Sequence, residues 1–231
     1  MQQQIPLPLA SDVVPAFDNF ARGGNTLVVD MLAGMVGSAD VQQVYLWGAN
    51  QSGKSHLLTA LHRQSLQRNR QSFYVSLGGE SINPQLLESV DSYDVLLIDD
   101  VDCRAQHPDW ETALFNLINF VREQGGNIVF AASVPPTASH WALPDLISRF
   151  TWGPVVKLAP LQEHEIRDAM IAAAAARGMK LDVEAVDFLL KRYRRDVSSL
   201  LAAIEVLDVE SLAAGRDRIT VPFLKRCFVF D

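Results

Sequence analysis

Gly48-Ala49-Asn50-Gln51-Ser52-Gly53-Lys54-Ser55 fits GxxxxGK[ST] in full, and its setting decides the fold. The apolar run Val44 to Trp47 enters it directly, and a helical pattern through Leu57, Leu58 and Leu61 leaves it. Chance produces such a match on the order of once in a hundred chains of this length. Strand, glycine-rich turn and helix start together make a concave row of backbone N–H groups at a helix N-terminus, which is built to hold phosphate. In that arrangement Lys54 reaches the β and γ phosphates and Ser55 holds Mg²⁺.

Working outward, apolar β-rich runs recur at Val44 to Trp47, Ser72 to Leu77, Val95 to Asp99, Asn127 to Ala132 and Val155 to Leu158, separated by helix-length segments. This spacing predicts an α/β fold, a five-stranded parallel sheet with helices on both faces. The third run, Val95-Leu-Leu-Ile-Asp99-Asp100, ends in two carboxylates. One of them, Asp99, suits Mg²⁺ and the other, Asp100, can polarise an attacking water. With the loop upstream, the pair specifies a nucleoside triphosphate site. Trp110 to Val121 places Leu114, Leu117, Ile118 and Val121 at helical spacing, which is core packing.

Near Pro160 the pattern changes. Strand signals stop, and helices follow at about 163–177, 183–192 and 197–212, with a short one begun near Thr220 and Pro222. Gly178 and Gly215 stand where C-terminal caps belong. The expected organisation is an extended peptide over residues 1–10, a nucleotide-binding α/β domain over 11–159 and a small helical lid over 160–231. In the opening peptide, Pro6 and Pro8 forbid a helix interior and leave Ile5, Leu7 and Leu9 as an alternating apolar set. Such a segment is either a frayed terminus or a linear motif that docks in a partner's pocket.

Composition narrows the function classes. With 231 residues, 48% hydrophobic and 20% charged, the chain is neither disordered nor a coiled coil. Twenty basic against 27 acidic residues give a net charge of −7, so no global positive field draws it to a phosphate backbone, and little direct DNA binding is expected. Its longest apolar runs are too short to cross a bilayer and no signal core opens the sequence, so a cytoplasmic protein is expected. Cys103 and Cys227 lack metal or disulfide spacing and are expected to be buried free thiols. The five histidines form no metal-binding pair; His56 and His62 fall on the helix after the loop.

The segments Ala16-Phe17-Asp18-Asn19-Phe20, Gly53-Lys54-Ser55-His56-Leu57-Leu58, Ile98-Asp99-Asp100 and Leu146-Ile147-Ser148-Arg149-Phe150-Thr151-Trp152-Gly153 stand in an order that resembles the AAA+ ATPases of the bacterial replication initiator DnaA group. The resemblance covers about 17–228. It implies that the stretch from Gly48 to His56 binds ADP or ATP with Mg²⁺, with Phe17 and Phe20 near the adenine and ribose. It implies that Arg149 is an arginine finger reaching a neighbouring subunit's γ-phosphate; the residues alone favour an arginine neutralising its helix C-terminus. A lid arginine, Arg195 with Arg192 and Arg194 as alternatives in register, would contact the bound phosphates. The sensor position after the fourth strand falls on Ser133, where initiators usually carry aspartate, which weakens the expectation of efficient hydrolysis by this chain.

Two departures from initiators are expected. No basic helix-turn-helix domain is expected after the lid, and Gln4-Ile5-Pro6-Leu7-Pro8-Leu9 resembles a peptide that binds the sliding clamp, the β subunit of DNA polymerase III. The resemblance thus implies a negative regulator of replication initiation. It would bind nucleotide as a conformational cofactor that fixes the lid angle, tether to the clamp, and stimulate hydrolysis of DnaA-bound ATP, with a homodimer as a further possible state. Alternatives are a self-assembling ATPase and a helicase-loading or DNA-associated adaptor.

Overall fold

A computed structural model of the chain describes residues 14–37, 42–79, 82–90, 93–192 and 197–228. These fall into two compact units, one over Pro15–Pro160 and one from Leu161 onward.

The first unit is a three-layer α/β sandwich. Strands β1 (Gln43–Trp47), β2 (Ser72–Ser76), β3 (Val95–Asp99), β4 (Asn127–Ala132) and β5 (Val155–Lys157) form one sheet in the order β2-β3-β4-β1-β5. Every pairing is parallel, with Val44 opposite Val129 and Ile98 opposite Phe130. The five expected strands are present, two of them one residue shorter than read.

Successive side chains of a strand point to opposite faces, and the two apolar clusters follow that alternation. Tyr45, Leu96, Ile98, Ile128 and Phe130 pack on one face against α3 (Pro108–Gln124) and α4 (Pro144–Phe150). Val44, Leu46, Leu97, Val129 and Ala131 pack on the other against α1 (Thr26–Met35) and α2 (Lys54–Gln67). Residues such as Val95, Leu97, Phe130 and Ala131 are fully enclosed, which is why the strands read as continuous apolar runs. Helix α3 begins with Pro108 in its first turn and stops at Gly125, whose φ of 72° a side chain would disfavour.

The second unit contains α5 (Glu163–Ala175), α6 (Val183–Arg192), α7 (Val197–Ala214) and α8 (Val221–Cys227) around Met170, Leu189, Ile204, Leu207 and Leu224. It is not purely helical: β6 (Lys180–Leu181) and β7 (Arg218–Ile219) pair in parallel. Two residues apiece carry no periodicity, so these strands have no sequence signature. Among the described residues no helix is long and apolar enough to cross a membrane. The cysteines differ from expectation, since Cys103 is exposed and Cys227 half-buried; the turn after β3 holds the first at the surface.

Candidate nucleotide site and arginine finger

β3, β4 and β1 lie side by side, so their C-terminal ends bring Asp99, Ser133 and Gly48 to one rim of the sheet, where open α/β sheets bind ligands. The loop leaves β1 with the Gly48 N–H on the Ala132 carbonyl at 3.1 Å. A Cβ on Gly48 would stand 2.5 Å from the Leu158 carbonyl oxygen, so the backbone there admits no side chain. Gly53 has φ 98°, and Phe20 packs against it with Cε2 2.5 Å from where a Cβ would lie. Helix α2 starts on the next residue.

Lys54 is buried and its ammonium donates to the Gly48 and Ala49 carbonyls at 2.8 and 3.0 Å, closing the loop on itself. Burial lowers its pKa, opposed by the nearby charges of Asp99, Asp100 and Asp102. Ser52 Oγ is buried without a hydrogen-bond partner inside the same loop. An orphaned hydroxyl, a cradle that a Cβ would fill and a buried ammonium are the features a polyphosphate satisfies.

Asp99 is 1% exposed, with one carboxylate oxygen accepting from the Tyr74 hydroxyl at 3.1 Å and the other from the Asp100 N–H at 2.9 Å. Burial, and then the Asp99 charge, push the Tyr74 phenol far above its ordinary pKa, so Tyr74 remains a donor. Asp100 adopts a left-handed conformation, φ 53°, and accepts from Ser76 Oγ at 2.6 Å. Its carboxylate is thereby turned toward the end of β2.

Ser133 lies where the sequence places it, just beyond β4, but its side chain is committed elsewhere. Both its N–H, at 3.0 Å, and its hydroxyl donate to Asp102 in the turn after β3. A carboxylate is therefore present beside the sensor position, supplied by a residue the sequence reading did not single out.

The two phenylalanines assigned to the base separate. Phe17 enters the core with Leu32 and Leu58, while Phe20 stays half-buried beside His56, ring centroids 5.3 Å apart. His56 Nε2 donates to the Ala16 carbonyl at 2.9 Å, which ties the Ala16 to Phe20 segment to α2. Burial lowers the His56 pKa, so the ring is neutral at pH 7.

Arg149 ends α4, and its carbonyl accepts from Gln43 Nε2 at 2.6 Å and the Trp152 N–H at 3.2 Å. Its guanidinium lies over two rings, 4.2 Å from the Trp152 centroid and 4.9 Å from that of Phe115. Its Nε is buried without a partner, and no carboxylate pairs with it among the described residues. The guanidinium makes no bond to its own helix's terminal carbonyls among the described residues, and its place in the last turn of α4 still suits the negative end of the helix dipole. Gln43 opens β1 and Gly48 follows its end, so the carbonyl held by Gln43 lies about 16 Å along the strand from the phosphate loop.

Of the remaining sequence assignments, Arg194, Arg195, Gln4, Ile5, Leu7 and Leu9 lie outside the described residues, and Arg192 ends α6 as an exposed side chain.

Residues 13–157 match the family described as the bacterial DnaA ATPase domain. The chain belongs to that family. Residues 163–228 match the Hda lid domain, so this DnaA-family chain carries an Hda-type lid. An uncharacterized protein of Haemophilus influenzae is 34% identical over 230 residues, 98% of each chain. Domain III of the Thermotoga maritima replication initiation protein DnaA superposes with a TM-score of 0.72 at 21% identity, covering 94% of this chain and 96% of that one. AMPPCP-bound DnaA from Aquifex aeolicus gives 0.71 at 21% identity, over 88% of this chain and 67% of that one. A DNA replication initiation factor gives 0.69 at 21% identity over 86% of this chain, which spans only 65% of its length.

Proposed function

We propose that this DnaA-family chain regulates replication initiation negatively, by supplying Arg149 to the ATP held by DnaA and so promoting its hydrolysis. The observation that carries this reading is the state of Arg149: a cation with no carboxylate partner among the described residues, stacked on aromatic rings, at the end of β1 remote from the chain's own phosphate loop. Ring faces consume none of the terminal guanidinium N–H donors, which leaves these available to an anion although Nε is buried. In this reading an arginine that cannot reach its own phosphates serves another molecule's.

The chain's own nucleotide, ADP or ATP, is held by the N–H groups of residues 48–55, by Lys54 after it leaves the Gly48 and Ala49 carbonyls, and, from the lid, by Arg195. Bound with Mg²⁺, it supplies a compact polyanion and its counter-charge. Ser55 and Asp99 hold the metal, Asp100 orients water, and Tyr74 keeps the Asp99 carboxylate fixed. Ser133 spends its N–H and hydroxyl on Asp102, which favours an activator over an efficient ATPase. The peptide containing Gln4, Ile5, Leu7 and Leu9 tethers the chain to the sliding clamp and raises its concentration near replication complexes.

Hydrolysis of DnaA-bound ATP with clamp and DNA present tests the assignment. Arg149→Ala should lower stimulation by roughly 10³-fold or more, as for other arginine fingers supplied in trans. Unchanged stimulation refutes it. A self-assembling ATPase is the second reading, favoured by the intact Lys54, Asp99 and Asp100; it predicts concentration-dependent turnover without DnaA.

A further inference from the structure

Trp152 does not behave as a core residue. Its neighbour Phe150 is fully buried, whereas Trp152 keeps 39% of its surface exposed. Two guanidinium groups lie over its ring, those of Arg149 and Arg122, each 4.2 Å from the centroid. Neither has a carboxylate partner among the described residues. Single arginines stack on rings elsewhere, Arg104 over Trp110 at 4.9 Å and Arg226 over Phe223 at 4.8 Å, but among the described residues Trp152 is the one ring that carries two guanidinium groups.

The ring is itself fixed by the backbone. The Trp152 N–H donates to the Arg149 carbonyl at 3.2 Å, and Gln43 Nε2 holds the same oxygen at 2.6 Å. On its other side Gly153 lies so close to β1 that a Cβ would fall 1.9 Å from the Gln43 carbonyl oxygen. The turn therefore cannot drift from the strand, and the ring inherits the position of β1. A guanidinium over an indole is attracted by the ring's negative face, yet keeps its N–H edge free. A carboxylate would also hold the arginine, but it would occupy those donors and neutralise the charge.

We infer that Trp152 is the positioning residue of Arg149: it holds the guanidinium in place without neutralising it, ready for an incoming phosphate, with Arg122 holding the ring. The inference rests on the reading of Arg149 as a finger. The ring touches no reacting atom; it acts by limiting the orientations Arg149 samples before the complex forms.

Stimulated hydrolysis of DnaA-bound ATP, measured over a range of concentrations of this chain, separates that role from a structural one. Trp152→Leu keeps apolar volume and loses the ring face; its maximal stimulated rate should fall about tenfold, the size of a partly desolvated cation–π contact. The half-saturating concentration should stay within about twofold, because the docking surface is otherwise intact. Trp152→Phe restores a ring and should recover most of the rate. In the Arg149→Ala background, Trp152→Leu should have no further effect, because nothing remains to position. If Trp152→Leu folds and stimulates as the wild type does while Arg149→Ala is inactive, the positioning role is overturned and the finger stands. If Arg149→Ala itself stimulates normally, the finger reading fails. Should Trp152→Leu unfold, the decision falls to Trp152→Phe and Trp152→Tyr, which must retain the rate, and to Arg122→Gln. Arg122→Gln must lower the maximal rate without moving half-saturation; an unchanged rate overturns the inference.

Discussion

Glu111 offers the sharpest test of how α4, the helix that ends in Arg149, is held. It sits in the first turn of α3, 1% exposed, and its carboxylate accepts three backbone N–H groups. One oxygen takes those of Gln106 at 2.7 Å and Ala142 at 3.0 Å; the other takes that of Leu143 at 2.6 Å. Ala142 and Leu143 lead directly into α4, so one side chain ties α3 to the start of the helix that ends in Arg149. Glu111→Ala removes all three acceptors. At about 1 to 1.5 kcal/mol net for each bond, the loss comes to about 4 kcal/mol. With a urea dependence of about 2 kcal/mol per molar, the midpoint should fall by about 2 M. Glu111→Gln keeps one acceptor oxygen and turns an amide N–H₂ toward a backbone donor, so it should lie between the two. All four tryptophans, Trp47, Trp110, Trp141 and Trp152, belong to the α/β unit, so tryptophan fluorescence follows that unit's unfolding. A midpoint for Glu111→Ala within about 0.3 M of wild type would refute the reasoning, since three backbone donors cannot lose a shared buried acceptor at so little cost.

Two further outcomes follow from the same unit. Gly153→Ala should destabilise it by about 3 kcal/mol, at the upper end of overpacking costs, because no rotamer moves a Cβ away from the Gln43 carbonyl; a midpoint equal to wild type in the same urea titration contradicts the close approach. Burial raises the pKa of Tyr45 well above 10, and Tyr74 is raised by burial and Asp99. In the unfolded chain both phenols ionise near pH 10, so above that pH the folded state binds more protons and stability falls as pH rises, while below it these groups have no effect. For Tyr45 the slope is at most about 1.4 kcal/mol per pH unit, and Tyr45→Phe should flatten the alkaline limb; equal slopes between pH 10 and 11 would contradict this.

The sheet and the phosphate loop were legible because their signals are local. Five enclosed strands must read as apolar runs, and a loop that approaches phosphate must carry glycine at positions such as Gly48, where a Cβ meets the Leu158 carbonyl. Helix α1 was not read. Its sequence, Thr26-Leu-Val-Val-Asp-Met-Leu-Ala-Gly-Met35, is apolar almost all round and has no side-chain cap, so neither period nor boundary shows. Residues whose importance lies in a distant partner were silent. Glu111 looks like any first-turn carboxylate until the segment at 142–143 folds onto it, and Asp102 looks like a turn residue until β4 delivers Ser133. Ser133 was found by position, but its commitment to Asp102 depends on two strand ends meeting, which no local pattern records. Trp152 lay within the segment that carries the family resemblance, yet only its stacked guanidinium groups assign it a task.

The placement of Arg149 also changes what the bound nucleotide is able to control. The sequence reading has the ligand set the lid angle and thereby expose the finger. Yet the groups that hold Arg149, namely Gln43, Phe115 and Trp152, all belong to the α/β unit. Between them and the phosphate loop runs β1, hydrogen-bonded on both sides by β4 and β5 and packed on both faces. A strand so enclosed transmits position but deforms little. Filling the loop at one end therefore has no soft path along β1 by which to swing the arginine at the other. Under the proposed function, the finger is permanently set, and nucleotide acts on which neighbour can approach it rather than on its conformation.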